Sequence, residues 1–488
     1  MLKKLNLKKI LWIIIFLLFP GTLPAGGVLP VGRMEYDFVY DRLERVEALS
    51  LDRFDYQLGP YRLDREAFRW GPFESLREIP GRSLGLFAFV SEDFRSAKEA
   101  SAHGWEAFRG GIVARPHERV FVYGNFLLDE CRADDPAYTG KKWRGLAGGV
   151  ESAFMHVRFG MLEGMLGRFA SFWGPRHSLV LSPGASMDGF AYTIRWGRLS
   201  LSYRLARLDG LNPDTDSVDQ FENRYFAGHR LDVHISKRVR LGVFETMIFG
   251  GPGRQIDLYY LNPIIFFHSS QINEGMNDNT FLGFDFSVKP REGCNIYGQL
   301  LVDDFQVDSR EPGDKEPDQY GILAGAYVAD VLPSFDMKAE YTRVTNWSFN
   351  QALQRNRYLY EGSLIGGALG NDYDQTRFWF IKWFGDDMAA SLSLSYVRQG
   401  EGEVTEEFTQ PWLLATGAYS EEFPTGVVEK TFTASMSLQG FVENHFFFSL
   451  EAGADWHRNY RHISGDSRTL PFIHLKLSSF ITSFVDIE

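Results

Sequence analysis

The chain has 488 residues, 44% of them hydrophobic, 23% charged and 15% aromatic, with a net charge of -12 and 2 cysteines. Mean hydropathy is -0.22 and one long apolar run is present, which excludes a bundle of membrane-spanning helices, since each needs roughly 20 apolar residues in succession. The acidic balance argues against nucleic acid as a partner, and no Walker-type phosphate loop, HExxH or CxxC motif occurs, so neither cofactor nor metal is expected.

The apolar run, Ile10 to Phe19, follows Lys3, Lys4, Lys8 and Lys9 and precedes Pro20 and Leu23-Pro24-Ala25-Gly26. A basic head, a short apolar core and a small-residue exit predict a secretory signal peptide over 1–25. Residues 26–81 read as a helical segment. In Met34 to Ser50, Tyr36, Val39, Leu43 and Val46 recur at helical spacing with Asp41, Arg42, Glu44, Arg45 and Glu47 opposite. A second helix is predicted from about Arg65, with Asp64 as its N-cap. So short a segment holds little core alone and needs something to pack on.

From residue 82 to 488 the period changes to two. Phe432, Ala434, Met436 and Leu438 alternate with Thr431, Thr433, Ser435, Ser437 and Gln439; Leu231, Val233 and Ile235 alternate with Arg230, Asp232 and His234. Leu199 to Ala206, Leu282 to Lys289 and Phe335 to Tyr341 behave alike. Each such strand has one apolar and one polar face. The apolar faces would meet inside a soluble sandwich, or face lipid in a membrane barrel.

Strands are predicted at 82–90, 106–114, 119–129, 147–158, 162–169, 190–196, 199–208, 226–236, 239–249, 280–289, 294–304, 320–329, 335–347, 376–384, 388–399, 429–440, 445–457 and 471–484. The connections alternate: short ones such as Phe159–Met161, Gly197–Arg198 and Gly385–Asp387, long ones such as 170–189, 250–279 and 400–428. Short turns at one rim and long loops at the other predict an all-β transmembrane antiparallel barrel of about 18 strands. An even number returns both termini to the short-turn rim, the periplasmic one, where 26–81 would form a plug. Phe378, Trp379, Phe380, Trp383, Phe384, Phe446, Phe448 and Trp456 lie toward strand ends and are assigned to aromatic girdles. Asp232, His234, Asp285, Asp336, Lys338 and Glu340 are expected to form ion-pair networks or plug contacts in the lumen. Cys131 and Cys294 fall at opposite rims, too far apart to bridge.

The stretch Leu166-Gly167-Arg168-Phe169 to Trp173-Gly174-Pro175, then Leu179 to Ser182 and Ala185 to Asp188, resembles the capsule-assembly Wzi family. So do Tyr260-Leu261-Asn262-Pro263 with Asn277-Asp278-Asn279, and the early helix from Val39 to Glu47 with Pro60-Tyr61. The resemblance implies an 18-stranded barrel in the Gram-negative outer membrane, closed by a helical periplasmic plug and holding capsular or extracellular polysaccharide at the cell surface as a lectin. Gly167, Arg168, Gly174, Pro175, Asn262 and Pro263 are the motif positions of structural kind. One departure is the C-terminal Phe484-Val485-Asp486-Ile487-Glu488, where barrels of this kind usually end in an aromatic residue.

Candidate polysaccharide contacts mix cations with flat rings, which suit an acidic sugar polymer. They are Lys141, Lys142, Trp143 and Arg144 in one loop and Trp347, Arg355, Arg357, Tyr358 and Tyr360 in another. Trp173 and Arg176 admit two readings, sugar contacts or a loop folded into the pore with Arg168 pairing inside the barrel. Glu401, Glu403, Glu406, Glu407, Glu421 and Glu422 make 400–428 acidic and repulsive to a polyanion. Asp214, Asp216, Asp219 and Glu222 do not hold the spacing of a calcium loop. The expected partners are polysaccharide, outer-membrane lipid and lipopolysaccharide, and the barrel-insertion machinery. A non-enzymatic binding role leads; a porin or saccharide transport channel is the alternative.

Overall fold

In the computed structural model of the chain the described residues are 28–29, 34–50, 58–59, 61–62, 83–97, 100–117, 119–135, 138, 140–182, 186–211, 222–304, 315–367, 369–416, 419–443 and 445–486. The predicted signal peptide and the helix predicted from Arg65 lie outside them, as do Asp214, Asp216 and Asp219. Eighteen long antiparallel strands close into one barrel. The first six are β1 (Ser83–Ala97), β2 (Ala100–His117), β3 (Val120–Asp129), β4 (Leu146–Phe159), β5 (Leu162–Phe169) and β6 (Met187–Trp196). Next come β7 (Leu199–Arg207), β8 (Glu222–His234), β9 (Val239–Pro252), β10 (Asn279–Val288), β11 (Cys294–Asp304) and β12 (Gln319–Leu332). The last are β13 (Phe335–Val344), β14 (Tyr373–Phe384), β15 (Met388–Gln399), β16 (Glu429–Val442), β17 (Phe446–Arg458) and β18 (Ser467–Asp486). Each strand pairs with its neighbours in sequence, and β18 closes on β1 in unbroken register from Phe472 opposite Ala97 to Asp486 opposite Ser83.

Every predicted strand overlaps one observed strand. The largest boundary difference is at β1 and β2, which run on through residues read as a loop at 91–105. Glu92, Asp93 and Arg95 interrupt the apolar period there while the backbone ladder continues.

Parity assigns the two faces. Leu231, Ile235, Val243, Met337, Met436, Leu438 and Ile473 point outward and are exposed, whereas Asp232, Asp285, Asp336, Lys338 and Glu340 point inward and are buried. Water would not tolerate that outer belt; hydrocarbon does. On β17, Phe446 and Trp456 are ten residues apart and both exposed outward. At about 3.3 Å per residue and a tilt near 40°, that separation is roughly 25 Å along the axis, the height of a bilayer-facing band. Phe378 and Phe384 also face outward, but Trp379 and Trp383 do not belong to a girdle. Consecutive residues of one strand cannot share a face, and these two tryptophans point into the lumen, where Trp379 stacks on His177 and Trp383 packs against Phe38.

The lumen is not uniformly polar. Helix α1 (Met34–Leu49) lies inside it. Phe38, Val39, Tyr40 and Leu43 share one buried cluster with the inward-facing Phe87, Val113, Tyr123, Phe154, Trp383, Phe441, Phe447 and Phe480. The helix's other, charged face is buried too. Glu44, Arg45 and Glu47 are as inaccessible as the apolar residues because the barrel supplies counter-charges. Lys338 Nζ lies 2.9 Å from Glu44 Oε2, Arg45 binds Asp336 and donates to Asp330 at 2.7 Å, and Arg176 reaches Asp37 at 2.5 Å. At the helix C-terminus Lys289 Nζ donates to the Glu47 carbonyl at 2.8 Å and the Gly293 N–H to that of Ala48 at 2.8 Å. A turn of the barrel thus satisfies the carbonyls that a helix end leaves bare.

A separate lumenal network joins Arg230, Asp232, Arg240 and Asp285, two cations and two anions from β8, β9 and β10. All four are buried, and their alternation of sign balances the charges that a low-dielectric interior would otherwise penalise. Cys131, in the five-residue helix α2 (Glu130–Asp134) beyond β3, and Cys294, at the start of β11, are free and lie at opposite rims.

Candidate functional site

The long-loop rim is shaped by where each connection goes. Two turn inward. After β5 the chain passes through Phe172-Trp173-Gly174-Pro175 into the lumen, where Leu179, Val180 and Leu181 are fully buried. Gly174 has φ +89°, the left-handed backbone that favours glycine, and a Cβ there would lie 2.5 Å from Gln299 Nε2 and displace that amide. Gln299 Oε1 accepts the Leu179 N–H at 2.7 Å, and Arg204 donates to the carbonyls of Phe169 (3.1 Å) and Met187 (3.0 Å), clamping both feet of the loop. Trp173 is therefore interior, and Arg176 lies against the plug, its guanidinium 5.3 Å from the Tyr40 ring. Of the two readings of this motif, the loop folded into the pore matches the structure. Arg168 departs from it: Gly167 and Phe169 occupy the inward positions, so Arg168 pairs with Asp188 on the outer face, at 2.9 Å from Nε.

The connection after β13 also enters. Arg224 holds it by donating to the carbonyls of Arg355 (2.8 Å), Arg357 (2.8 Å) and Leu359 (2.9 Å). Tyr358 is fully buried and donates to the Val180 carbonyl at 2.6 Å, tying the two inward loops together. Arg357 and Tyr360 are buried as well, and Arg355 pairs with Glu222 at 3.1 Å. This departs from the expectation of an accessible binding loop, because rings and cations that would suit a sugar are taken up in the internal packing. Trp347 sits higher, half-buried, with its indole donating to Glu421 at 2.8 Å and its ring edge-on to Phe408 and Trp412. The acidic 400–428 loop is pinned below by Asp372, which accepts from the Thr425 and Gly402 N–H groups at 3.1 Å.

The connection after β9 turns the other way and lies on the outer wall. Helix α3 (Phe267–Glu274) follows Tyr260-Leu261-Asn262-Pro263, in which Asn262 Oδ1 accepts the Ile264 N–H at 3.1 Å across the proline turn. Tyr260 and Phe267 pack on the outward-facing Tyr203, Tyr225, Met247 and Phe249. Glu245, which would otherwise face hydrocarbon, accepts the first two N–H groups of α3, from Phe267 (2.7 Å) and His268 (2.8 Å). The carboxylate is an N-cap supplied from the barrel.

One connection projects outward. Lys142-Trp143 pairs with Leu146-Ala147 as a small hairpin continuing β4. Its two-residue turn has φ +51° at Arg144 and +82° at Gly145, the left-handed geometry that hairpin turns favour. Trp143 is 61% exposed, the Arg144 guanidinium lies 5.2 Å from its ring, and Lys141, Lys142 and Arg144 make no ion pair among the described residues. These four candidates come together on an open surface; Trp173, Arg176, Arg357, Tyr358 and Tyr360 do not join them. Arg204, Arg224 and Glu245 were missed by sequence reasoning as positioning residues. The first two stand at inward-parity positions beside Ser202 and Phe226, a legible signal, whereas nothing local marks Glu245.

A closed 18-stranded membrane barrel, with a helix stapled inside and two of its rim loops drawn into the lumen, is the class these features define. The chain belongs to the capsule assembly protein Wzi family, which it matches over residues 147–470. Among solved structures it is similar to Wzi of Escherichia coli, described as an outer membrane protein involved in group 1 capsule assembly and a carbohydrate-binding β-barrel. The two are 14% identical with a TM-score of 0.59, covering 92% of this chain and 99% of that one. OccD3 and OccK1 of Pseudomonas aeruginosa are 10% and 12% identical, each with a TM-score of 0.48 over 82% of this chain and over 91% and 99% of their own. No curated protein sequence matches the chain.

Proposed function

We propose that the chain is a non-enzymatic outer-membrane barrel of a Gram-negative cell, binding an acidic capsular or extracellular polysaccharide at the surface. Its short-turn rim and both termini face the periplasm and its long loops face outward. Family membership and the carbohydrate binding described for the E. coli protein support this reading. The observation that carries it is the 141–144 hairpin, three cations without carboxylate partners among the described residues beside a bared indole, on a chain whose net charge is -12. Repeated weak contacts along one polymer would add by avidity.

The test is binding of purified barrel to an acidic and to a neutral capsular polysaccharide. The acidic polymer should bind with an affinity that falls steeply with salt, and the triple variant Lys141→Glu, Lys142→Glu, Arg144→Glu should lose about tenfold or more, since each charge-assisted contact contributes roughly 1.5–3 kcal/mol. Undiminished binding by the variant would overturn the assignment. The transport alternative has less support, because α1 and two loops occupy the lumen. Residues 1–25 as export signal, 26–81 as plug and 82–488 as barrel complete the proposal, with the insertion machinery as partner during biogenesis.

A further inference from the structure

The outer wall formed by β14 to β18 carries an ordered sequence of rows toward the long-loop rim. Leu392, Met436 and Ile473 are exposed in the apolar band. Above them Tyr396, Phe432 and Trp456 stand directly opposite one another on three adjacent strands, all exposed, with the last two rings 5.6 Å apart. One step higher stand Arg398, Lys430 and Arg458, again in direct register. Arg398 is neutralised by Asp374, at 2.9 Å from Nε. The side chains of Lys430 and Arg458 are exposed and make neither an ion pair nor a hydrogen bond among the described residues. With Tyr396, Phe432, Trp456 and Thr469 they line a recess of about 700 Å³ on the barrel's outside.

Like charges directly opposite on paired strands repel. Here two cations without an ion pair among the described residues face each other, while the neighbouring Arg398 and Arg468 each have a carboxylate partner. An anion between them would turn the repulsion into charge-assisted hydrogen bonds, and a guanidinium beside an ammonium suits phosphate oxygens. The rings directly beneath favour the zone where headgroup meets hydrocarbon, and the apolar rows continue downward from them. A soluble anion would have no use for the rings, and a surface polymer none for the apolar rows.

We propose that Lys430 and Arg458 bind the phosphate of an outer-leaflet phosphoglycolipid whose acyl chains descend over Phe432, Trp456 and the apolar rows below. The choice of leaflet rests on the orientation given under Proposed function; binding itself does not. Native mass spectrometry of the full chain in detergent, with bisphosphorylated lipid A, its dephosphorylated form and pyrophosphate as probes, tests the two separately. Phosphorylated lipid A should be retained on the barrel. The dephosphorylated form, and the Lys430→Gln, Arg458→Gln variant with phosphorylated lipid, should each bind about tenfold or more weakly. Heat-modifiable migration of that variant checks that the barrel has formed, and Arg398→Gln, already neutralised by Asp374, should bind within a few fold of the parent. Equal retention of all lipids, undiminished binding by the double variant, or tight binding of pyrophosphate alone would each overturn the proposal. None of these outcomes bears on polysaccharide binding at the 141–144 hairpin.

Discussion

At His177 burial within the inward loop lowers the imidazole pKa from its ordinary 6.5 to about 4, against the pull of Glu340 toward protonation. Nδ1 lies 2.6 Å from Glu340 Oε2. An ionised carboxylate only accepts, so the neutral ring donates from Nδ1. Glu340 has charge balance already, from Arg377 at 3.0 Å and Lys338 at 3.6 Å. Between pH 4 and 6.5 the unfolded chain binds a proton that the folded one refuses, so this contribution is full above pH 6.5 and is lost as pH falls toward 4. Thermal unfolding across that window should shift downward in the parent and less in His177→Gln. The ring remains partly accessible, which keeps the shift small. At Gly145 the required left-handed backbone makes Gly145→Val unfavourable by about 1–2 kcal/mol. The expected result is weaker polysaccharide binding with an unchanged barrel melting temperature.

Among elements, α1 is the one whose stability depends most on its surroundings. Its charged face makes ion pairs with β12, β13 and the loop after β5, so removing one partner leaves the other buried without compensation. Arg45→Leu strands Asp336, a carboxylate with no exposed surface, and should destabilise the plugged state by about 3–5 kcal/mol, softened where Trp383 and Tyr327 still donate to it. Calorimetry in detergent checks the value. Helix α3 poses the complementary case. Glu245→Gln leaves a poorer cap and should cost about 1 kcal/mol, read as faster hydrogen exchange over 254–278 while β9 itself stays protected. Strands were legible because a period of two survives wherever one face meets lipid. The extensions of β1 and β2 were not, since hydrogen-bonded ladder without an apolar face leaves no pattern. The destinations of the loops were equally hidden: Tyr358 inside and Trp143 outside carry similar local composition, and the contacts that separate them come from Val180 and Arg224, far away in sequence.

For the whole molecule, the sequence disclosed class, strand order and the sidedness of most residues, because alternation along strands and alternation of connection lengths are both local. It did not disclose that the lumen wall against α1 is lined with aromatic rings. Inward-facing Phe87, Phe154, Phe441 and Phe480 read as ordinary strand residues until α1 is placed against them. That interior makes a prediction about transport. Planar-bilayer recordings of the intact barrel should show no steady conductance, and a variant in which Arg45, Glu44 and Glu47 are all replaced by glutamine should show intermittent openings as the helix loosens. Steady large currents from the intact chain would favour the channel reading instead.

The 141–144 hairpin is the tip of β4, a strand held by β3 from Ala147 to Val157 and by β5 from Ala153 to Phe159. A polymer dragged by flow past the cell would therefore pull β4 along its own axis. Force in that direction is shared by every rung of two ladders at once, rather than peeling bonds apart singly as it would in a floppy surface loop. Under the proposed function, geometry of this kind would give a tether whose weakest point is the sugar contact, so that an overloaded strand of polymer would slip free while the anchor stays whole.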